Sequence, residues 1–386
     1  MKNILFLSYL VLPDERPQSF LLSKIIKQLK KDKKYNVNLL TNTKVNKLIK
    51  KRNFYRYSLE NKFDNFLKKF AFFKYLQILF PSFFYEDLIN KINYIIEKKK
   101  INLIISFSNP YYLNSVANYI YKKKGKKFFS HYSDPLINSS YNKINFTIKL
   151  FLKKLEKSIL KNSEKIIFCN NNLKNFVLSK HENNLSKKAV IIPHFFEFKK
   201  NQKKKIKGNK KTVFAYFGSF YGPRQPNDLI KAVIELNKDI PGFKESNFFE
   251  FYGSDQLSIY KKEKIKHIPK NVVFKKRVAQ KKLSKIINKV DYLISIDGKN
   301  IENIYLPSKI IEYFQFKKPI LAISSIGSPS YHLSRKIDIT FANINNIRDI
   351  KNKILKIKKK KNFKINKNIK YFSLKNIIKL WKKEIN

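Results

Sequence analysis

Two segments of the sequence carry residues whose types and spacing suit phosphate chemistry. In the first, an apolar run ends at Gly218, and Ser219, Gly222 and Arg224 follow shortly after it. A glycine turn lets backbone N–H groups approach a ligand closely, and an arginine binds phosphate oxygens in a bidentate manner. This pattern is typical of a diphosphate site. The alternative is an ordinary loop between a strand and a helix, with Arg224 in solvent.

The second segment begins at Pro307, which stands at the expected first turn of a helix and is followed by Ser308 and Lys309. The N-terminus of a helix offers N–H groups and a partial positive charge, and both attract an anion. Glu312 comes one turn later, where its carboxylate could accept both hydroxyls of a ribose. Alternatively, Glu312 pairs with Lys309 or Lys317 at the surface.

A third and weaker candidate lies at the end of a predicted strand, where His131 and Asp134 fall close together. These side chains could position a reacting hydroxyl or relay its proton. The alternative is a capped turn that Asp134 makes before Pro135. The sequence contains none of the motifs GxGxxG, GxxxxGK[ST], HExxH or GxSxG, and its five histidines are dispersed. We therefore expect neither a nicotinamide or flavin cofactor nor a metal ion.

These residues must be positioned by a fold of 386 residues, which is long enough for two or three domains. Residues 4–7 form an uninterrupted apolar run, typical of a buried strand, whereas residues 148–159 place apolar side chains at helical spacing. Strands and helices of this kind alternate along the chain, which predicts parallel α/β sheets. Ligands of such sheets bind outside the carboxyl ends of the strands.

We predict two doubly wound domains. The first covers residues 1–198, a basic linker covers 199–211, the second domain covers 212–368, and a C-terminal crossover helix at 369–386 packs back toward the first domain. The linker is nearly all Lys, Asn and Gln, so it cannot lie in a core. With two such domains face to face, the cleft between them is the expected site.

The chain is strongly basic, with 83 Lys and Arg against 27 Asp and Glu, and a formal charge of +56. Only seven of the basic residues are Arg, the residue on which nucleic-acid readers depend most. Lys, Asn, Ile, Phe and Tyr are all abundant and have AT-rich codons, so compositional bias explains much of the charge. Attraction to an anionic membrane is the next alternative, and nucleic-acid binding follows it. The lone Cys169 predicts a reducing compartment without disulfides.

Four parts of the chain resemble glycosyltransferase family four, whose members have the GT-B fold of two Rossmann-like domains facing across a cleft. The matching segments are MKNILFLSYLVLP with NVNLLTN, EKSILKNSEKIIFCNNNLKNFV with VIIPH, FAYFGSFYGPR, and LPSKIIEYFQFKKPILA. The resemblance implies a retaining transfer from a nucleotide-sugar, without a metal. It also implies that Glu312 holds the donor ribose. Arg224 and Lys309 would face the diphosphate, near Gly218, Ser219, Pro307 and Ser308.

The sequence departs from the family pattern at two places. Family members often carry a glutamate eight positions before the ribose glutamate, where this chain has Ile304, with Glu302 nearby. The usual pair of glycines in the first loop is replaced by residues 14–16, Asp-Glu-Arg. Recognition of the donor sugar is therefore the part of the resemblance that the residues support least.

The segment Phe63–Phe84 mixes large apolar side chains with lysines. Such a helix could lie in a membrane interface, or it could cover the core of the first domain. The sequence shows no signal peptide and no apolar stretch long enough to span a membrane. We therefore expect a cytoplasmic enzyme at the inner membrane face.

The expected activity is transfer of a sugar to a saccharide or lipid-linked acceptor in surface polysaccharide or glycan synthesis, with His131, Asp134 and Arg224 as catalytic candidates. The alternatives are a sugar-nucleotide epimerase on the same fold and a basic protein that binds nucleic acid.

Overall fold

The computed structural model describes ten stretches of the chain. They are residues 1–14, 16–42, 54–56, 71–138, 144–181, 183–197, 211–253, 268–299, 302–360 and 367–386. The chain forms two compact units, Met1–Pro193 together with Ile377–Asn386, and His194–Asn376. Most of the basic segment predicted as a linker, residues 199–210, lies outside the described residues.

The first unit contains a parallel sheet of seven strands in the order β3-β2-β1-β4-β5-β6-β7. Its strands are β1 (Lys2–Ser8), β2 (Tyr35–Thr41), β3 (Phe54–Arg56), β4 (Leu103–Phe107), β5 (Phe128–Tyr132), β6 (Lys165–Phe168) and β7 (Ala189–Ile191). Its helices are α1 (Pro17–Leu29), α2 (Ala71–Leu79), α3 (Pro81–Phe84), α4 (Glu86–Lys98), α5 (Tyr112–Lys124), α6 (Phe146–Asn162) and α7 (Asn171–Leu178).

The second unit contains a parallel sheet of six strands in the order β10-β9-β8-β11-β12-β13. Its strands are β8 (Thr212–Phe217), β9 (Asn247–Tyr252), β10 (Val272–Lys275), β11 (Tyr292–Ile296), β12 (Ile320–Ser324) and β13 (Thr340–Asn343). The helices that follow β7 along the chain are α8 (Asn227–Asp239), α9 (Phe243–Ser246), α10 (Gln280–Ile287), α11 (Ser308–Tyr313), α12 (Pro329–Ser334), α13 (Ile347–Lys358), α14 (Lys367–Tyr371) and α15 (Leu374–Ile385), and most of α15 belongs to the first unit.

The second sheet is buried on both faces, as its apolar strands predict. Alternate side chains of β8 point to opposite sides, so Phe214 packs with helices α8 and α13, whereas Ala215 packs with α10 and α11. Helices therefore cover both faces of the sheet. The doubly wound α/β fold predicted from the sequence is confirmed.

Each sheet has one place where the chain changes direction across it. In the first unit this switch lies between β1 and β4, and in the second it lies between β8 and β11. At a switch point the loops that leave the two neighbouring strands diverge and open a crevice at the carboxyl edge. The sequence candidates Gly218 to Arg224 directly follow β8, so they start at such a switch point.

The C-terminal helix packs on the first unit, as predicted. The Trp381 indole is buried and lies 6.4 Å from the Phe6 ring and 5.9 Å from the Phe107 ring, measured between ring centroids. Lys382 pairs with Asp32 at 2.5 Å. These contacts join the last helix of the chain to strands β1 and β4, at the centre of the first sheet.

Helices α2 and α3 form most of the described part of the segment Phe63–Phe84, and Phe80 separates them. Tyr75 and Ile78 of this segment are buried, whereas Phe72, Phe80 and Phe83 are exposed. Within the part of the chain that the structure describes, every helix is too short or too polar to cross a bilayer.

Candidate functional site

The candidate site of the second unit is built on a contact between Gly218 and Lys309. Gly218 follows β8 with a φ of +145°, and its N–H donates to the Tyr252 carbonyl at 2.7 Å. A Cβ at Gly218 would lie only 1.6 Å from the Lys309 Nζ. The sequence predicted a glycine that admits a ligand, and the structure shows that the group packed directly against this glycine is the Lys309 ammonium.

Lys309 lies in an environment that disfavours its own positive charge. The residue as a whole is half-buried, and its Nζ stands 5.1 Å from the centroid of the Tyr216 ring. Burial lowers the Lys309 pKa to about 8, the charges of Arg224 and Arg277 lower it as well, and Glu312 acts in the opposite direction. Both arginines repel the Lys309 ammonium, and an anion placed beside it relieves that repulsion.

Arg224 is half-buried and is held by its own loop. A backbone bridge joins Tyr221 and Arg224, the guanidinium lies 5.2 Å from the Tyr221 ring centroid, and its Nη1 donates to the Tyr221 hydroxyl at 3.3 Å. The loop is tied to the sheet through Ser219, whose hydroxyl donates to the Gly253 carbonyl at 2.9 Å. The alternative of an Arg224 that is simply solvated does not describe this arrangement.

Helix α11 carries the rest of the predicted donor-binding residues. It covers Ser308–Tyr313, has Pro307 at its N-cap and continues into a 3-10 turn at Phe314–Phe316. The Tyr313 hydroxyl accepts a hydrogen bond from the Phe217 N–H at 3.3 Å, which joins the helix to the end of β8. This link explains why Lys309, one helical turn earlier, reaches Gly218.

Glu312 is half-buried in the last turn of α11. Its charge acts on Lys309 and opposes the lowering of the Lys309 pKa. Ile304, at the position of the usual family glutamate, is buried, and Glu302 is exposed. Among the described residues from Glu302 to Tyr313, Glu312 is therefore the acidic group that the fold brings into range of the cations.

Sequence reasoning missed two charged residues at the same edge of the sheet. Arg277 comes two residues after β10, and Asp297 comes directly after β11. Asp297 is buried, and its Oδ2 accepts hydrogen bonds from the hydroxyls of Ser324 and Ser330. The signal that would have found both is their position at the carboxyl ends of predicted strands.

The candidates of the first unit are placed in two different settings. His131 lies inside β5, where it is buried and its ring stacks on Phe107 with 4.5 Å between centroids. Asp134 lies beyond the strand and is half-buried, and its Oδ2 accepts a hydrogen bond from Asn109 Nδ2 at 3.3 Å. Both residues are at the carboxyl edge of the sheet, but the position of His131 is the one expected of a core residue.

Solved structures with the same fold are found, although no protein-family model and no curated protein matches the sequence. The lipopolysaccharide outer core galactosyltransferase WaaB has a TM-score of 0.66 at 12% identity, over 99% of this chain and 99% of that one. Sucrose-phosphate synthase from Thermosynechococcus elongatus has a TM-score of 0.65 at 12% identity, over 99% of this chain and 98% of that one. The chain has the GT-B fold.

Epimerases share this fold. The UDP-GlcNAc 2-epimerase from Neisseria meningitidis, solved with UDP-GlcNAc bound, has a TM-score of 0.57 at 11% identity, over 100% of this chain and 99% of that one. At such identities the likeness establishes architecture and leaves the reaction open. The choice between transfer and epimerisation must therefore come from the residues of the site.

Proposed function

We propose that the protein is a glycosyltransferase that moves a sugar from a nucleotide-sugar donor to a saccharide or lipid-linked acceptor. The observation that carries this proposal is that Lys309 packs against Gly218 at the switch point of the second unit, with Arg224, Arg277 and Glu312 in electrostatic range of its ammonium. This set combines a cluster of cations suited to a diphosphate with one carboxylate suited to ribose hydroxyls.

In the proposed reaction the cations act mainly on the leaving group. Negative charge grows on the nucleoside diphosphate as the bond to the sugar breaks, and Arg224 and Lys309 would stabilise that charge. Ser219 and Ser308 would line the site with backbone N–H groups. Gly218, whose own N–H donates to the Tyr252 carbonyl, and Pro307, which has no N–H, would shape the two turns. Because fixed cations supply the electrostatic stabilisation, we propose that transfer needs no metal ion and persists in a chelator.

We propose that transfer proceeds with retention of configuration, as the family resemblance implies. On the acceptor side, Asp134 would orient the incoming hydroxyl, and the Asn109 side chain would orient Asp134. His131 is the weaker candidate, because its ring packs on Phe107. A variant Asp134→Asn that lowers transfer more than donor binding would support the first assignment.

The epimerase alternative requires acid and base groups that remove and return a proton. Of the described acidic groups at this edge, Asp297 already accepts two serine hydroxyls, Asp228 pairs with Lys299, and Glu312 acts on Lys309. This sparse set favours transfer over epimerisation. Conversion of the donor sugar to its epimer in an assay that contains no acceptor would support the epimerase alternative.

The decisive experiment is a donor screen with the purified protein, read by mass shift of a lipid extract offered as acceptor. Glu312→Ala should weaken nucleotide-sugar binding, because hydrogen bonds to a charged group are each worth about 1.5–3 kcal/mol. The control is Glu235→Ala, which removes an acid of α8 that pairs with Lys351 of α13. Equal donor affinity in Glu312→Ala and the wild type would contradict the ribose assignment.

We also propose that the enzyme works as a peripheral protein on the inner face of an anionic membrane. Helix α6 exposes Phe146, Leu150 and Phe151, and its polar surface is rich in lysine. Helix α2, which packs against α6, exposes Phe72. Exposed aromatic side chains beside lysines are typical of an interfacial surface.

A further inference from the structure

Tyr216 is a buried tyrosine that packs against the loop carrying Arg224. It is the last but one residue of β8. Its ring stacks on the ring of Phe220 in that loop, with 4.5 Å between centroids and 12° between planes. Its hydroxyl donates to the Ser219 carbonyl at 3.4 Å. One buried side chain of the sheet therefore contacts the loop at two places.

The same side chain also contacts two cations of the candidate site. The Arg224 guanidinium donates a hydrogen bond to the Tyr216 hydroxyl, and the Lys309 ammonium stands 5.1 Å from the centroid of the Tyr216 ring. A Cβ on Gly218 would lie 1.6 Å from the Lys309 Nζ and 3.4 Å from the Tyr216 hydroxyl oxygen, so these two groups border the same glycine. A tyrosine offers its ring face to an ammonium and its oxygen to a guanidinium, and Tyr216 uses both.

Arg224 has a second tyrosine partner, which differs from Tyr216 in its exposure. The Arg224 Nη1 donates to the Tyr221 hydroxyl at 3.3 Å, but Tyr221 is 51% exposed, so water competes for that bond. Burial raises the pKa of the Tyr216 hydroxyl, and the charge of Arg224 and its hydrogen bond oppose that effect. Because the Tyr216 hydroxyl is shielded from water, it holds the charged donor more firmly than the Tyr221 hydroxyl does.

We propose that Tyr216 is a positioning residue whose hydroxyl holds the Arg224 guanidinium while its ring faces the Lys309 ammonium. This inference rests on the proposed function, because cations fixed in advance stabilise a leaving diphosphate without rearranging. The charges of Arg224 and Lys309 repel each other, so other groups must keep the two in place. Tyr216 acts through Arg224 and is not itself assigned a contact with the donor.

The variant Tyr216→Phe removes the hydroxyl and keeps the ring, so the packing on Phe220 and the contact with Lys309 remain. The control is Tyr292→Phe, which removes the hydroxyl of a buried tyrosine that begins β11 and donates to the Lys358 carbonyl at 3.1 Å. Thermal melting of both variants measures the loss of stability that a missing buried hydroxyl causes. If Tyr216→Phe does not fold, 4-fluorophenylalanine at this position replaces it, because the fluorine fills part of the space of the hydroxyl.

The first measurement needs no substrate. Phenylglyoxal modifies arginine side chains, and peptide mass spectrometry reports each arginine separately. We expect Arg224 to react about tenfold faster in Tyr216→Phe than in the wild type, because a guanidinium that has lost its buried acceptor is more open to solvent. Arg335 and Arg348 should be unchanged, and Tyr292→Phe should have no effect. An unchanged rate at Arg224 in the folded variant would overturn the proposal.

The variant Tyr221→Phe tests which of the two hydroxyls holds the arginine. Water already competes for the exposed bond, so we expect Arg224 to react less than about twofold faster in this variant. An effect of Tyr221→Phe as large as that of Tyr216→Phe would overturn the proposal, because exposure would then make no difference.

The second measurement is a double-mutant cycle on transfer. We expect Tyr216→Phe to lower kcat about tenfold with little change in donor KM, and to have no further effect in an Arg224→Ala background. Additive effects would show that Tyr216 does not act through Arg224. If the wild type neither binds UDP, GDP or ADP nor transfers a sugar, the proposed function fails, and the phenylglyoxal comparison still decides whether Tyr216 holds Arg224.

Discussion

Gly218 shows how one missing side chain organises the site. A methyl group there would collide with the Lys309 ammonium, and the backbone φ of +145° is itself unfavourable for other residues. The atoms in the way are the far end of a flexible side chain. A substitution would therefore move Lys309 rather than break the fold.

We predict that Gly218→Ala weakens binding of a nucleoside diphosphate about tenfold, because the displaced ammonium no longer reaches the anion; this is about 1.4 kcal/mol. The control is Gly242→Ala, which has a φ of +73° and open space around the added methyl. It carries the same kind of backbone strain without touching Lys309. Isothermal titration calorimetry and thermal melting separate the two effects, and equal losses of affinity in both variants would contradict the prediction.

The depressed pKa of Lys309 predicts a pH dependence. As pH rises through about 8, Lys309 loses its proton in the free protein, so affinity for the diphosphate should fall with rising pH. We expect the affinity for the diphosphate to fall by up to about tenfold per pH unit above that value, with the steepness increasing gradually as pH rises. Lys309→Arg stays protonated and should bind with a nearly flat profile up to pH 9. A parallel decline in both proteins would assign the titration to another group.

At the scale of elements, helix α6 has two different faces. Leu152 and Ile159 are buried against the first unit, whereas Phe146, Leu150 and Phe151 are between 47% and 74% exposed. Exposed apolar side chains contribute little to folding, so they can be changed without a large loss of stability. This makes α6 a better target for a membrane test than α2, whose Tyr75 and Ile78 belong to the core.

We predict that the wild type stays partly on anionic liposomes at high salt, and that the triple variant of Phe146, Leu150 and Phe151 to Ser is released. Salt shortens the Debye length from about 10 Å at 0.1 M to about 3 Å at 1 M. It does not screen the insertion of a Phe or Leu, which is worth about 1.5–3 kcal/mol. Ile326 and Tyr371, exposed on the second unit, provide the control when both are changed to Ser. Complete release of the wild type by salt would show that charge alone holds it.

At the scale of the whole molecule, the formal charge of +56 acts on every polyanion. Such a charge speeds association and favours nonspecific binding, but it does not select a ligand. The half-buried cations Arg224 and Lys309 differ from the surface lysines, because solvent screens them less. The salt dependence of binding therefore distinguishes attraction to the surface lysines from binding by Arg224 and Lys309.

We predict that random oligonucleotides bind at low salt and lose affinity steeply as salt rises, whereas nucleoside diphosphate binding declines much less. Displacement of counterions makes oligonucleotide affinity fall with a large slope in log salt. Filter binding measures the oligonucleotide affinity, and calorimetry at the same salt concentrations measures the nucleoside diphosphate affinity. Tight oligonucleotide binding that survives high salt, without diphosphate binding, would favour the nucleic-acid alternative.

The fold class and several parts of the site are determined by local sequence. Apolar runs such as residues 4–7 are typical of buried strands, and their alternation with amphipathic helices predicts parallel sheets with helices on both faces. The position of Gly218 and Arg224 after a strand, and of Lys309 and Glu312 on the following helix, is likewise visible in the sequence. These features depend on neighbours along the chain, which is why a linear pattern records them.

The partners of those residues were decided only by the tertiary structure. Gly218 meets Lys309 because β8, β11 and helix α11 pack together, and the sequence shows neither that contact nor the length of α11. Asp297 directly follows β11, and the pairing of β11 with β12 brings its carboxylate within hydrogen-bond distance of the Ser324 hydroxyl, which the sequence does not show. His131 lies near the end of β5, as expected, but the sequence does not show that its ring stacks on Phe107 of the neighbouring strand β4. Contacts between residues far apart in the chain depend on sheet order and register, and these are set by the packing of the whole unit.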